Sequence, residues 1–345
     1  MRTSFLSTLT INNGPRNALP RLQAEALKAN TELTTGSRAD LGLDLGVRVG
    51  QSVSLRQEKA SLQSLIDSNA LATGQLEIAE AAVDDMTASA NDMMKTLIAA
   101  PGSSSAEVIR NQARSSLNAF IATANATDGR RYVFGGTNTG EQPLNDYAGA
   151  PKAAIDAAFA AAFGGRTPDD PTISDISAAD MAAFIDNQFA AEFDDASWKA
   201  NWSTATDASR TAQISPTEKV AVSASANDTA IRKLAMVFTM VGELGTVNLS
   251  EAARQVVIEK ARNLLGPAVT DLTTIGGKIG TSQQRIVTAN EVMKRASSTL
   301  DDRMSALEAV DPAEAKSRLD MITTQIEMSY SLTQQIMKLS IINYV

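Results

Sequence analysis

The fold is decided by residues 62–97, LQSLIDSNALATGQLEIAEAAVDDMTASANDMMKTL. Alternating steps of three and four residues through this stretch meet an apolar side chain at ten of eleven positions, and Asn69 is the exception. A strand would show a period of two, so this spacing predicts an α-helix. At 1.5 Å per residue the helix is about 50 Å long, more than an ordinary globular domain needs. The main positions of this N-terminal seam are Leu62, Leu65, Leu76, Val83, Met86 and Leu97.

The same step recurs over residues 265–310, where twelve of fourteen positions are apolar. Gly266 and Pro267 both disfavour a helix interior, so we predict a break near residue 266. Asp311 and Pro312 predict the end of this long helix and the start of the next, because proline suits a first helical turn. The main positions of this C-terminal seam are Leu272, Ile275, Ile279, Ile286, Leu300 and Leu307.

The N-terminal seam and the C-terminal seam can bury each other, since both lie in one chain. We therefore predict a mainly α protein, an elongated coiled-coil helical bundle formed by the N- and C-terminal arms. The predicted domains are terminal helices at 1–45 and 311–345, a bundle at 46–128 and 230–310, and an inserted, solvent-facing domain at 129–229. The alternative for the seams is a purely intramolecular core with no partner molecule.

The middle of the chain has a different composition. Residues 141–228 hold 14 acidic and 5 basic residues and both tryptophans. Alanine-rich stretches at 153–163 and 178–193 predict helices, and 219–222 is β-prone, so we expect a small mixed α/β domain. Just before it, 131–134 predicts a strand or hairpin, and 135–140 predicts a turn, because that glycine-rich run lacks the lysine that a phosphate-binding loop needs.

The terminal segments predict an assembly interface. Residues 321–345 contain one acid, Glu327, and one base, Lys338. An apolar helix with so few charges is unfavourable in water, so we expect it to be covered by the N-terminal helix, by other subunits, or by both. Methionines widen the last stripe and suit either a core or an adaptable groove. Pro15 and Pro20 predict that the first helix starts late or is broken. The interface positions are Leu19, Leu22, Ala26, Leu33, Leu319, Ile322, Ile326, Leu332, Ile336 and Leu339.

Composition disfavours most enzyme and binding classes. The chain has no cysteine and no histidine, which removes thiolate chemistry and the usual neutral-pH base. Its net charge of −8 disfavours nucleic-acid binding. We expect no catalytic residue, no cofactor, no metal, no membrane insertion and no Sec-type signal peptide. Adjacent acids such as Asp301 and Asp302 are expected to be solvated, since neighbours on a helix do not share a face.

Several motifs resemble one known family. Residues 35–38, Thr-Gly-Ser-Arg, are similar to a motif of flagellins and their hook-associated relatives, and 39–46 looks like an α-proteobacterial variant of its continuation. Residues 124–136, ANATDGRRYVFGG, resemble a segment of the hook–filament junction type (hook-associated protein 3), and 308–315 matches the acidic break before the last helix. The family-motif residues are Gly36, Arg38, Gly129, Tyr132, Phe134 and Gly136.

This resemblance implies a non-enzymatic structural role in the bacterial flagellum, as an adaptor joining hook to filament. It implies a homo-oligomer in a ring or helical layer, a neighbouring hook-associated protein and flagellin as partners, and secretion to the extracellular flagellum by type III export with a chaperone. Three alternatives remain open: a flagellin forming the filament itself, a generic secreted coiled-coil scaffold, and an enzyme hosted in the middle.

Overall fold

The computed structural model describes residues 8–99 and 106–342. It is mainly helical, with two long helices and one small two-stranded sheet, which confirms the predicted fold class. Two sequence-based expectations lie outside the described residues, namely that Ser103–Ser105 cap the next helix and that Tyr344 marks an interface edge. The helices are α1 (Thr8–Thr35), α2 (Leu41–Leu45), α3 (Val49–Ala99), α4 (Ala106–Ala124), α5 (Ala150–Ala162), α6 (Ala178–Phe184), α7 (Asp195–Ser197), α8 (Thr229–Glu243), α9 (Glu251–Glu308) and α10 (Pro312–Ile342).

The chain divides into two compact units. The terminal unit comprises Met1–Gln63 and Lys294–Val345, and the central unit comprises Ser64–Met293. Helices α3 and α9 each contribute residues to both units. The three-part division made from the sequence, with an inserted domain at 129–229, stays a prediction.

The two long helices follow the apolar period, and α9 corrects one expectation. It begins at Glu251 and runs without a break through Gly266 and Pro267 to Glu308, so the predicted break near 266 is wrong. Leu265 and Ala268 on either side are fully buried, and this packing outweighs the roughly 3 kcal/mol that proline costs in a helix interior. Pro267 itself is exposed, so the carbonyl that loses its amide partner can be hydrated.

The first helix corrects a second expectation. Helix α1 is continuous from Thr8 to Thr35 and includes Pro15 and Pro20, so it neither starts after them nor breaks there. It packs along α10, and this tertiary contact stabilises a helix that its prolines disfavour. As predicted, α9 ends before Asp311 and α10 begins with Pro312 in its first turn.

Aromatic side chains fill the core of the central unit. Helices α4 and α8 pack together, with the ring centroids of Phe120 and Phe238 5.9 Å apart. Trp198 and Trp202 are fully buried and stack with ring centroids 5.2 Å apart at an interplanar angle of 11°. They lie in a π-helical turn, Trp198–Trp202, and a similar turn, Ile185–Phe189, extends α6. These turns and α5 account for the helices predicted at 153–163 and 178–193.

The strand predicted at 219–222 belongs to a small hairpin. Strands β1 (Thr211–Ser215) and β2 (Glu218–Ala221) pair antiparallel, with Thr211 opposite Ala221 and an irregularity between Gln213 and Ser215. Within 131–134 one isolated bridge, from Tyr132 to Thr127, replaces the expected strand. The backbone of this stretch pairs with separate segments, since the Val133 N–H donates to Ala126 and the Phe134 carbonyl accepts from Ala226. Among the residues that the structure describes, no helix is both long and apolar enough to span a lipid bilayer.

Candidate assembly surface of the terminal helices

The contact between α1 and α10 forms a thin part of the core of the terminal unit. Ala29 on α1 and Ala315 and Ile322 on α10 are buried where these helices run along each other, and Leu45 closes the end of α2. Alanine buries little area, so this core stabilises the helix pair less than a leucine core would. Small side chains also leave few knobs to oppose sliding of one helix along the other.

The predicted interface positions lie mostly at the edges of this helix pair. Ile322 is buried, most of the others are half-buried, and Leu332 is about half exposed. Part of the predicted stripe is thus already used by contact between α1 and α10 in the same chain. The side chains of Ile336 and Leu339 lie outside the described part of the chain. The half-buried positions are Leu19, Leu22, Ala26, Leu33, Leu319 and Ile326.

Other apolar side chains in the terminal unit face outward. Leu27 is 69% exposed, Met321 60% and Met328 58%. The short segment after α1 adds Leu43 and Val47, which are even more exposed. The step of three and four residues did not include Leu27, Leu43 or Val47. The one sequence feature near them, the Leu-Gly-Leu-Asp-Leu run at 41–45, did not indicate an exposed apolar surface. Large apolar side chains that are exposed on one unit mark a candidate interaction surface.

The two arms are joined where both of them leave helix. Gly36 adopts φ 69°, a conformation that favours glycine, and its N–H donates to the Glu32 carbonyl at 2.9 Å, which ends α1. The Arg38 N–H donates to the Glu308 carbonyl at 2.8 Å, and the Val310 N–H donates to the Gly36 carbonyl at 3.0 Å. The family-motif residues Gly36 and Arg38 therefore form the backbone joint between the N- and C-terminal arms.

Two buried carboxylates flank this joint. Glu308 is 8% exposed and accepts hydrogen bonds from Ser52 Oγ at 2.5 Å and Arg56 Nη2 at 2.6 Å. Burial disfavours its charged form, but the hydrogen bonds from Ser52 and Arg56 outweigh burial, and the pKa of Glu308 lies below its usual range. Glu32 is 2% exposed and accepts from Arg318 Nη1 at 3.1 Å. Periodicity gave no sign that these two acids would be buried.

The seam residues of the long helices are largely buried. Leu65 and Leu307 are half-buried, and Asn69 is fully buried although it is polar. The Asn69 side-chain amide donates to the Ile214 carbonyl at 2.8 Å and to Asn290 Oδ1 at 2.7 Å, so one amide links α3, β1 and α9. The buried seam residues are Leu62, Leu76, Val83, Met86, Leu97, Leu272, Ile275, Ile279, Ile286 and Leu300.

The motif at 129–136 forms a packed turn in the central unit. Gly129 is exposed with φ 87°, Tyr132 is half-buried, and Phe134 is fully buried. The Phe134 carbonyl accepts from the Ala226 N–H at 2.8 Å. Gly136 adopts φ 64°, and a Cβ there would lie 2.2 Å from the Thr206 carbonyl oxygen. The glycine is therefore required by close backbone contact.

In each of the adjacent acidic pairs 169–170, 194–195 and 301–302, one acid has a structural partner. Asp301 pairs with Lys59 at 2.5 Å, Asp195 pairs with Lys199 at 2.8 Å, and Asp170 accepts from the Thr172 N–H at 2.8 Å. Over residues 8–99 and 106–342, no three acidic side chains come close enough together to hold a metal ion.

Comparison with known proteins gives two family-model matches. The model of the bacterial flagellin N-terminal helical region matches residues 6–139, and that of the C-terminal helical region matches residues 263–345. Together these matches cover more than half of the chain. No curated protein matches it.

Two solved structures are similar to the chain at low sequence identity. A putative flagellar hook-associated protein from Vibrio parahaemolyticus is 11% identical, with a TM-score of 0.54 over 77% of this chain and 100% of that one. FlgL from Bacillus cereus is 10% identical, with a TM-score of 0.41 over 75% of this chain and 98% of that one. At such identity the first likeness shows a shared fold.

Proposed function

Because this chain belongs to the bacterial flagellin family and is a structural protein of the flagellum, we propose that it is the adaptor between hook and filament. Copies of the chain pack into a ring or helical layer that meets a neighbouring hook-associated protein on one side and flagellin on the other. The observation that carries this proposal is the exposed apolar surface on the terminal unit, which has no covering element among the described residues.

The size of this surface supports assembly through several contacts at once. Burying a large apolar side chain contributes about 1.5–3 kcal/mol, and Leu27, Met321 and Met328 are each more than half exposed. These three residues together therefore offer about 3–6 kcal/mol, near the low end of the roughly 4–15 kcal/mol of freedom lost on association. A single pair of copies is then weakly held, whereas a closed layer gives each copy more than one neighbour.

Two features support a junction protein over a filament flagellin. The segment 124–136 resembles the junction type, and its Phe134 and Gly136 are tightly packed. The Vibrio protein with the same fold is described as hook-associated. We also propose that the chain leaves the cell unfolded through the flagellar type III export channel with the help of a chaperone. The absence of cysteine supports this route, because an unfolded chain then cannot cross-link in transit.

The test is electron microscopy of cells that lack this chain and of cells that carry an antibody-labelled form. The proposal expects hooks without filaments in the deletion strain, flagellin shed into the medium, and a single labelled band at the hook–filament boundary. Label along the entire filament would instead identify a filament flagellin. Normal filaments in the deletion strain would contradict a junction role and favour a secreted scaffold.

The chain acts as a building block and catalyses no reaction in this proposal. The rival site would be an acidic pocket in the middle of the chain, but the acids examined there pair with lysine or cap backbone.

A further inference from the structure

Two buried acids in the terminal unit are paired in a reciprocal way. Glu32 of the N-terminal arm pairs with Arg318 of the C-terminal arm, and Glu308 of the C-terminal arm pairs with Arg56 of the N-terminal arm. We propose that these two ion pairs and the backbone joint between them form one latch that fixes the register of the N-terminal arm against the C-terminal arm. Glu308 aligns the end of α9 with α3, and Glu32 aligns α1 with α10. Glu32 and Glu308 are then positioning residues for the assembly surface, and this role rests on the function proposed above.

The Glu308 half of the latch specifies one register. Its carboxylate is buried and takes both of its side-chain donors from α3, namely Ser52 and Arg56. A shift of one residue along a helix moves a side chain by 1.5 Å and rotates it by about 100°. Such a shift would separate Glu308 from both donors and leave a carboxylate buried without a partner, which is strongly unfavourable.

The Glu32 half of the latch aligns α1 with α10. Glu32 Oε2 accepts from Arg318 Nη1 at 3.1 Å, and its Oε1 accepts from the Ala39 N–H at 3.3 Å. Arg318 also donates to Glu314 at 2.8 Å, so its guanidinium is held from two sides. Glu32 therefore fixes both the docking of α10 and the turn that follows α1.

The backbone joint connects the two halves. The Glu32 carbonyl accepts from Gly36, the Gly36 carbonyl accepts from Val310, and the Glu308 carbonyl accepts from Arg38. Loss of either carboxylate partner thus disturbs the turn on which the other depends. When two sites share partners in this way, the effects of their mutations on the free energy do not add in the double variant.

Apolar packing between α1 and α10 specifies their register only weakly. Among the described residues, three apolar side chains are buried at the contact between α1 and α10: the alanines Ala29 and Ala315, which interlock little, and Ile322. Selection of one helix alignment is the best-attested role of buried polar groups. The exposed Leu27 lies on α1, while Met321 and Met328 lie on α10, so the register of these two helices sets where the exposed side chains lie relative to one another.

The test uses the full chain with Glu32→Gln, Glu308→Gln and the double variant, and Asp302→Asn as the matched control. Asp302 is an exposed acid on the same helix as Glu308, and its side chain makes no hydrogen bond or ion pair within the described part of the chain. We expect each single variant to raise the critical concentration for assembly, measured by sedimentation, by about tenfold. The double variant should raise it little further, whereas two independent contacts would give about a hundredfold increase. The charge-swapped variant that combines Glu308→Arg with Arg56→Glu should assemble at a lower critical concentration than either of these substitutions alone.

Amide hydrogen exchange of the unassembled chain provides the second measurement. The glutamine variants should lose protection in α1 and α10. The melting temperature of their central unit should equal that of the Asp302→Asn control. Unchanged protection and assembly like those of Asp302→Asn, or a hundredfold effect in the double variant, would overturn the latch. If the wild-type chain never assembles but the variants still lose protection, the latch stands and the proposed function fails.

Discussion

Truncation of one seam residue tests whether the apolar period describes a real core. Leu76 is 2% exposed within the core of the central unit. Leu76→Ala removes three carbon atoms, worth about 0.8 kcal/mol each. The cavity left behind brings the expected loss to about 3–5 kcal/mol. For a unit the size of Ser64–Met293, a shift of about 2–4 °C per kcal/mol predicts that the melting temperature falls by at least about 6 °C.

Leu71→Ala is the matched control for this prediction. Leu71 lies on the same helix five residues earlier and is 75% exposed, so its truncation should change stability by less than about 0.5 kcal/mol. Differential scanning calorimetry of both variants and the wild type gives the comparison. Equal melting temperatures for Leu76→Ala and Leu71→Ala would show that the N-terminal seam is not part of the core.

Four further predictions concern other parts of the chain. Ile279→Asp places a charge at a buried seam position and should cost several kcal/mol, seen as a lower melting temperature by circular dichroism. Deletion of residues 320–345 should leave the central unit folded but abolish assembly, and normal light scattering from the truncated chain would refute this. Because the pKa of Glu308 is lowered in the folded chain, its contribution is present above about pH 4.3 and is lost as the pH falls through the folded pKa. Helix protection in the terminal unit should therefore decrease with acid more steeply in the wild type than in Glu308→Gln, and parallel profiles would contradict the assignment. Gly136→Ala should destabilise the chain by more than about 1 kcal/mol in urea unfolding, whereas Gly140→Ala, where nothing lies within 4 Å of the added carbon, should not.

The helical architecture could be predicted because the apolar period is a local property of the sequence. The spacing of apolar residues within 62–97 is enough to predict a helix there, and the structure places these residues in α3. The breaks predicted near Pro20 and Pro267 were wrong because continuity of a helix at a proline depends on contacts that are distant in the sequence. A proline's local cost is visible in the sequence, but the tertiary packing that offsets it, such as burial of Leu265 and Ala268, is not.

The polar contacts of the structure could not be predicted. Asn69 looked like a flaw in the seam, yet its partner Ile214 lies 145 residues away. Glu308 pairs with Arg56 at a separation of 252 residues, and Glu32 pairs with Arg318 at 286. Charged residues are usually exposed, so a sequence offers no reason to bury these acids until the fold brings the arginines to them. Whether the predicted interface residues contact other copies stays a prediction.

The stacked indole pair has a practical consequence for spectroscopy. Trp198 and Trp202 are the only tryptophans in the chain, and both lie within the central unit. Intrinsic emission excited at the red edge of the absorption band therefore reports on that unit alone and is silent about the chain ends. A fluorescence melt recorded beside a far-ultraviolet melt would separate the unfolding of the two units without any introduced dye.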